Sequence, residues 1–577
     1  MSKKCYLACL LCFLFMAAMG QKRNLTFYIL ETTDVHGNYF PRDYINRTEG
    51  RGSLCRTAGY VDDLRMRKGA DHVLLLDNGD ILQGQPSAYY YNYVDTISEH
   101  VCAAVLNEMR YDAVGIGNHD IETGHSVYDR WVSQLEMPAL GANVIDTDTE
   151  APYWKPYTII KKDGVRFAIL GLVTPAIPQW LPEALWKGLR FDDMVETARK
   201  YMPEIKRQAA VVIGLFHSGV GEADAIGNGL ENASLQVAKN VPGFDLILCG
   251  HDHRMALTQI VNTVGDTVMV MNAGPNATHL AQATIHLTKK NGHVGEKKIE
   301  TTLIDITGRE PDRMFIETFA KAQRDIENYV GRKIGTCEES LSVKSAFFGP
   351  SSFIDFIHRL QLDISGSDIS FTAPLSLDAE IPAGDIHVSD MFNLYKYENR
   401  LCVMRLSGKE IRDWLEYSYD GWTVQMKSAD DHMLRFAPEY INASERWQRL
   451  ATPCYNFDSA AGLLYTVDLT KERGRKVIIE RLADGRPFSE DSIYSVAVNS
   501  YRAEGGGGHV TEGAGIAPND IARRIVWRSE RDLRYYMMEK IAAAGTISPK
   551  TLNQWRFVPE DRVRKAALRD EAILYGN

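Results

Sequence analysis

From Leu25 to about Ile306, short apolar runs alternate with stretches where apolar residues recur every three or four positions. That is the pattern of strands interleaved with helices in a layered α/β domain. Five runs carry most of the information: "TFYILETTD", "HVLLLDNGD", "YDAVGIGNHD", "VVIGLFHSG" and "FDLILCGHDH". Each reads as a buried strand that ends in a cluster of Asp, His or Asn. In open α/β architectures, ligand sites form at the C-terminal ends of the strands. Downstream, "DRMFIETFAKAQRDIENYVGRKIG" sets Phe315, Phe319, Ala322, Ile326 and Tyr329 at spacings of four and three, with Gly331 and Gly335 near its end. This predicts an amphipathic helix joining two domains. Beyond it, "ENRLCVMRLSG", "LLYTVDLT", "RKVIIERL" and "IYSVAVNSY" predict strands, "GKEIRDWLEYSY" predicts a helix, and the charged last thirty or so residues predict another. There is no internal repeat.

Length and charge narrow the picture. A chain of 577 residues exceeds the roughly 300 residues beyond which a single core stops growing. The expected division is a leader at 1–20, a first domain at 21–308, a joining helix at 309–335 and a second domain at 336–577. The leader, "MSKKCYLACLLCFLFMAAMG", has two lysines, an apolar run and small residues before Gln21. It reads as a secretory signal peptide, and the protein is expected to be exported, to the periplasm, with no membrane span after cleavage. The net charge of −10 argues against a nucleic acid polymer as partner, because that grip requires many Lys and Arg side chains on phosphates. Outside the leader, Cys55, Cys102, Cys249, Cys337, Cys402 and Cys454 form no CxxC pair, so a thiolate zinc site is not expected.

The strand-end clusters fit a different metal chemistry. Alone, a DxH after a strand is more often a turn, and an isolated His217 would be a core or loop residue. Five such clusters in order reverse that weighting. Imidazole combined with carboxylate suits zinc, manganese, iron or cobalt better than calcium or magnesium. Two such cations held by Asp34, Asp80 and neutral His and Asn ligands leave a net positive centre that attracts phosphate.

"DVHG", "NGD", "GNHD", "FHSG" and "GHDH" together resemble the signature of the calcineurin-like metallophosphoesterases. The second domain resembles the C-terminal domain of the periplasmic 5′-nucleotidase and 2′,3′-cyclic-nucleotide 2′-phosphodiesterase family. The resemblance implies a four-layer α/β/β/α catalytic domain followed by a mixed α/β domain. It also implies two divalent metals, one held by Asp34, His36, Asp80 and His253, the other by Asp80, Asn118, His217 and His251. His119 would contact the reacting phosphate, and Glu122, three residues on, could orient it. The family sandwiches a nucleobase between two aromatic rings. Tyr501 in "NSYRAEGGGGH" fits one position and Tyr455 in "ATPCYNFDSAAG" the other, with Phe457 and Trp422 as alternatives to Tyr455. Two departures favour the cyclic-phosphodiesterase branch over a pure 5′-nucleotidase. "FTAPLSLDAEIPAGDIHVSD" lacks the arginine of the "GGGIR"-like segment, and Gly507 stands where 5′-nucleotidases carry an acid. The expected activity is therefore that of a 2′,3′-cyclic-nucleotide 2′-phosphodiesterase and 3′-nucleotidase. The rivals are a 5′-nucleotidase or nucleotide-sugar hydrolase, a sulfur-ester hydrolase on the same core, and a non-catalytic nucleotide-binding or surface-interaction protein.

Overall fold

The computed structural model describes residues 22–227, 229–290, 293–443 and 446–576. The expected signal peptide lies outside them. The chain divides into two compact units, one of residues up to 178 and 183–327, the other of 179–182 and 328 onwards.

The first unit is built on two six-stranded sheets. The five runs singled out above form strands β1 (Arg23–Thr32), β2 (Val73–Asp77), β3 (Ala113–Gly115), β4 (Val211–His217) and β5 (Leu246–Cys249). One sheet has the order His293–Asp305, His279–Lys290, β1, β2, β3, Ala139–Leu140. The other has Ala256–Val261, Thr267–Asn272, β5, β4, Val165–Val173, Tyr157–Lys162. β1, β2 and β3 pair in parallel, with Thr32 beside Asp77 and Asp77 beside Val114. β4 and β5 also run parallel, with Phe216 beside Cys249. Parallel pairing sends the chain ends of neighbouring strands to one edge of each sheet, so the polar clusters that follow them gather there.

Period-two alternation sorts the apolar residues. Leu25, Phe27, Ile29, Leu74 and Leu76 of one sheet share a core with Phe167, Ile169, Ile213, Leu215 and Leu248 of the other. On the far side of the second sheet, Leu170, Leu172, Val212, Phe216 and Ile247 pack against Met194, Ala198, Met202, Ile205 and Val237 from the helices Met194–Gln208 and Ser234–Asn240. Each fully buried Leu, Ile or Phe contributes about 1.5–3 kcal/mol by leaving water. The helix Leu54–Lys68 lies beside β2 on the other sheet, which completes an α/β/β/α arrangement. It starts at Ser53, whose hydroxyl accepts the Arg56 N–H at 3.2 Å, and places Arg65, Arg67 and Lys68 in its last turn, where they complement the helix dipole.

The expected joining helix forms in two pieces, Arg313–Thr318 and Ala320–Val330, which meet at Phe319. Asp312 caps the first by accepting the Phe315 N–H at 2.8 Å. Phe315 and Phe319 pack with Phe40, at ring separations of 6.1 and 6.0 Å, so this segment belongs to the first unit as far as Glu327.

The second unit contains a five-stranded mixed sheet of order Ser459–Ala461, Ile369–Thr372, Ile493–Asn499, Arg400–Ser407, Ile525–Asp532. A three-stranded sheet, Val477–Leu482, Leu463–Asp468, Trp555–Val558, lies in the same unit. The helix Gly408–Trp422 begins with a reciprocal cap, Ser407 accepting from the Glu410 N–H and Glu410 accepting from the Ser407 N–H. The six cysteines outside the leader are buried free thiols. No helix among the described residues is long and apolar enough to cross a membrane.

Candidate metal centre and aromatic loops

The backbone at the strand ends is unusual before any side chain is considered. Asp34, His36, Asp80, His251 and His253 have φ of 49°, 49°, 55°, 73° and 56°. Left-handed conformations at non-glycine residues cost on the order of 1–3 kcal/mol each, and persist where surrounding bonds impose them. Those bonds are present here. Asp34 N–H donates to the Gly79 carbonyl and His36 N–H to the Asp80 carbonyl, both at 3.0 Å. His251 N–H is shared between the two Asp34 carboxylate oxygens at 3.1 Å. The buried Asp120 carboxylate accepts from the N–H groups of Asp80, Ile81, Leu82 and Gly117 at 2.8–2.9 Å, tying the "NGD" turn to the "GNHD" turn. Gly117 is required there, because a Cβ would lie 2.1 Å from Asp80 Oδ1.

Two groups of donors converge at these turns. Asp34, His36, Asp80 and His253 bring one ligand atom each within 4.8 Å of one another, and Asp80, His217 and His251 do the same. Asp80 belongs to both groups. Asn118 stands beside the second, with Oδ1 2.8 Å from His251 Nδ1.

Hydrogen placement shows what these atoms need. His36 Nδ1 lies 3.1 Å from the Gln83 carbonyl and His217 Nδ1 2.7 Å from the Asn78 carbonyl. Carbonyls only accept, so both Nδ1 atoms carry hydrogen and, in the neutral rings, both Nε2 atoms present lone pairs. His36 Nε2 sits 2.9 Å from His253 Nε2, and His217 Nε2 sits 3.1 Å from Asp80 Oδ2. The latter two atoms are buried without a hydrogen-bond partner. The second approach, an imidazole lone pair against a carboxylate oxygen, is relieved only by a proton or a cation. Burial, aided by neighbouring His253, pulls His36 down to about 3 and keeps it neutral. Burial also pulls on His217, but the Asp80 carboxylate outweighs it and pushes the ring up to about 10. Although burial opposes ionisation at Asp34 and Asp80, the surrounding imidazoles hold both below the usual carboxylate range. The donor set therefore fits divalent cations, which satisfy carboxylate and imidazole lone pairs together.

His119 and Glu122 form a pair alongside, with His119 Nδ1 2.5 Å from Glu122 Oε2. His119 N–H donates to Asp80 Oδ1 at 2.8 Å, and its ring lies 5.5 Å from that of His36. Burial lowers the His119 affinity for a proton, yet Asp80 and Glu122 together push it up to about 9. The ring can hold and deliver a proton.

In the second unit, Tyr501 follows the strand Ile493–Asn499, and Tyr455 lies in the short turn Cys454–Asn456. Both are partly exposed, and their rings meet edge-on at 6.4 Å and 87°. Tyr397 stands 6.4 Å beyond Tyr455, also edge-on. Phe457 and Trp422 are excluded as exposed stacking surfaces. They are buried and stacked on each other at 5.2 Å and 4°. The glycine loop has a physical reason: a Cβ on Gly506 would lie 2.5 Å from the Tyr501 ring. Arg502, buried, pairs with Asp458 at 2.9 Å and donates to the carbonyls of Gly506 at 2.8 Å and Tyr455 at 2.5 Å, joining the two tyrosine-bearing segments.

Sequence reasoning overlooked the supports. Asp120 was visible as the fourth residue of "GNHD" but carried no sign of its four backbone donors. Asn78 and Gln83 act through carbonyls, which no side-chain pattern reveals. Glu231, whose Oε1 lies 2.9 Å from His251 Nε2, sits in a loop twenty residues away.

Carboxylates and imidazoles converging at strand ends of an α/β/β/α fold define the class of metal-dependent hydrolases. Residues 27–255 match the calcineurin-like phosphoesterase family and residues 333–512 the 5′-nucleotidase C-terminal domain. The trifunctional nucleotide phosphoesterase YfkN of Bacillus subtilis is 28% identical across 92% of this chain, which spans only 39% of that protein. The 2′,3′-cyclic-nucleotide 2′-phosphodiesterase/3′-nucleotidase of Salmonella typhimurium is 26% identical across 94% of this chain and 90% of its own length. A crystal structure provisionally assigned as a 5′-nucleotidase, from Staphylococcus aureus, shares the fold with a TM-score of 0.75 at 21% identity, covering 93% of this chain and all of that one. The chain belongs to the calcineurin-like phosphoesterases that carry a 5′-nucleotidase C-terminal domain, a family of phosphoric ester hydrolases that use divalent metals.

Proposed function

We propose that the protein is an exported phosphohydrolase that opens 2′,3′-cyclic nucleotides and then removes the 3′-phosphate. The observation that carries this reading is the pair of donor groups sharing Asp80. The near full-length likeness to the Salmonella cyclic phosphodiesterase/3′-nucleotidase supports the substrate class. So do the missing "GGGIR"-like arginine and the glycine at position 507. Export, with a periplasmic destination, rests on the sequence of residues 1–20.

Asp34, His36, Asp80 and His253 would hold one cation, and Asp80, Asn118, His217 and His251 the other. Manganese, zinc, cobalt and iron(II) all suit this mixture of imidazole, amide and carboxylate. Bound cations would supply Lewis-acid neutralisation of phosphoryl charge and a nucleophile at neutral pH. The chain's own residues do the rest. Water gives up one proton to solvent as its oxygen bonds to phosphorus in line with the departing O2′, and the P–O2′ bond breaks. His119 gives the leaving oxygen its proton, while Glu122 orients the ring through Nδ1. Tyr501 and Tyr455 would hold the base by stacking, which tolerates any base because each has a π-face.

A panel of 2′,3′-cyclic nucleotides, 3′- and 5′-nucleotides and an aryl phosphate, with each metal added back separately, tests the reading. The highest kcat/KM should fall on a cyclic nucleotide. A clear preference for 5′-nucleotides would replace this proposal with the 5′-nucleotidase alternative.

A further inference from the structure

The outer partners of the site imidazoles are not alike. His36 and His217 each rest Nδ1 on a backbone carbonyl, of Gln83 and Asn78, and so turn Nε2 inward. His251 is reversed: Nδ1 faces Asn118 Oδ1 at 2.8 Å, and Nε2 faces the Glu231 carboxylate at 2.9 Å. An ionised carboxylate can only accept, so Nε2 carries the hydrogen and the neutral ring offers Nδ1 to the group it shares with Asp80 and His217.

The loop that brings Glu231 there is fastened to the residues just after β4. Ser218 Oγ–H donates to the Glu231 carbonyl at 2.8 Å and accepts the Ala233 N–H at 2.9 Å. The Gly219 N–H donates to Asn232 Oδ1 at 3.1 Å, and Ser234 Oγ–H to the Ser218 carbonyl at 3.0 Å. Glu231 is thus anchored through its main chain to the segment that carries His217, while its side chain is 49% exposed. A half-exposed acid held this firmly against an inward-facing imidazole is poorly explained as a surface ion pair, which is worth about 0–1 kcal/mol.

Resting on the dimetal reading above, we propose that Glu231 is a positioning residue for the second cation, held by Asp80, Asn118, His217 and His251. It fixes the His251 ring with Nδ1 inward, as outer-shell carboxylates orient metal-binding histidines. Because the equivalent partners of His36 and His217 are backbone carbonyls, this is the support that a side-chain change can remove.

The test is Mn²⁺ titration of metal-free protein by calorimetry, with bound metal counted by elemental analysis. The unaltered protein should take two equivalents. Glu231→Ala should keep one site unchanged and weaken the other by about 10–100-fold, with unchanged thermal unfolding of the metal-free protein. Glu231→Gln, whose amide oxygen still accepts the Nε2 hydrogen, should recover most of the affinity. Two equivalents at unaltered affinity in Glu231→Ala would overturn the inference, as would equal weakening in the Ala and Gln variants. Failure of the unaltered protein to bind two equivalents would instead remove the dimetal reading itself.

Discussion

Asp80 is the side chain on which both donor groups depend. Its carboxylate lies within reach of Asp34, His36 and His253 on one side and of His217 and His251 on the other. Asp80→Asn should therefore disturb two cations at once, while Asp34→Asn should chiefly affect one. Bound metal should fall below two equivalents, and activity should drop beyond the roughly 10²–10⁴-fold that accompanies loss of one general acid. Full activity with two metals in Asp80→Asn would remove the bridging assignment. His119 makes the contrasting case, since it pairs with Glu122 and belongs to neither donor group. His119→Ala should keep both metals and lose kcat by about 10²–10⁴-fold for a nucleotide. For an activated aryl phosphate, whose leaving group needs no proton, the loss should be smaller. Equal losses would assign His119 to phosphate binding instead of proton delivery.

At the level of elements, the tyrosine-bearing loops make the sharpest prediction. The short helix Ser500–Ala503 and the glycines after it exist as a unit with Tyr501, since the Gly506 backbone packs against that ring. Stacking on a base is worth about 1–3 kcal/mol by alanine substitution, so Tyr501→Ala should lower kcat/KM for cyclic nucleotides by about 5- to 150-fold. Hydrolysis of a small aryl phosphate, which has no base to stack, should be unaffected. Parallel losses on both substrates would make Tyr501 a structural residue. Gly506→Ala should reproduce the Tyr501→Ala profile, because the added methyl displaces the ring.

For the molecule as a whole, stability should be lost in acid through buried neutral histidines. Burial, reinforced by Arg130 and Arg502 respectively, pulls His100 and His509 down to about 3, and burial does the same to His358. Each is lowered from its ordinary 6.5. Between those values the unfolded chain binds a proton at each position and the folded chain does not. Stability therefore rises with pH across that window and falls as pH drops from 6.5 towards 3. At 1.36 kcal/mol per pH unit, each histidine removes about 2 kcal/mol by pH 5. His358 bridges Ser370 and Ser459 at 3.0 and 3.3 Å, so its protonation loosens the second unit from within. Urea unfolding of that unit at pH 7 and pH 5 should show the loss, and His358→Asn should reduce its pH slope by about one proton. A midpoint independent of pH across this range would contradict it.

Contiguous residues determined the strand-end clusters. Each apolar run is of strand length and is closed by a turn-forming polar cluster, so "DVHG", "NGD", "GNHD", "FHSG" and "GHDH" were legible without any contact information. The alternation of strands and helices was legible for the same reason, as were the four predicted strands and the helix of the second unit. What the chain does at a distance was not legible. Phe457 and Trp422 looked as eligible as Tyr455 until packing buried them face to face. The joining helix looked continuous until Phe319 turned against Phe40. Asp120 holds four backbone N–H groups, three of them some forty residues earlier, and Glu231 reaches His251 across twenty. Periodicity reports which face of an element is dry. Only the three-dimensional meeting of separate elements decides which dry face covers which ring, and which acid finds which imidazole.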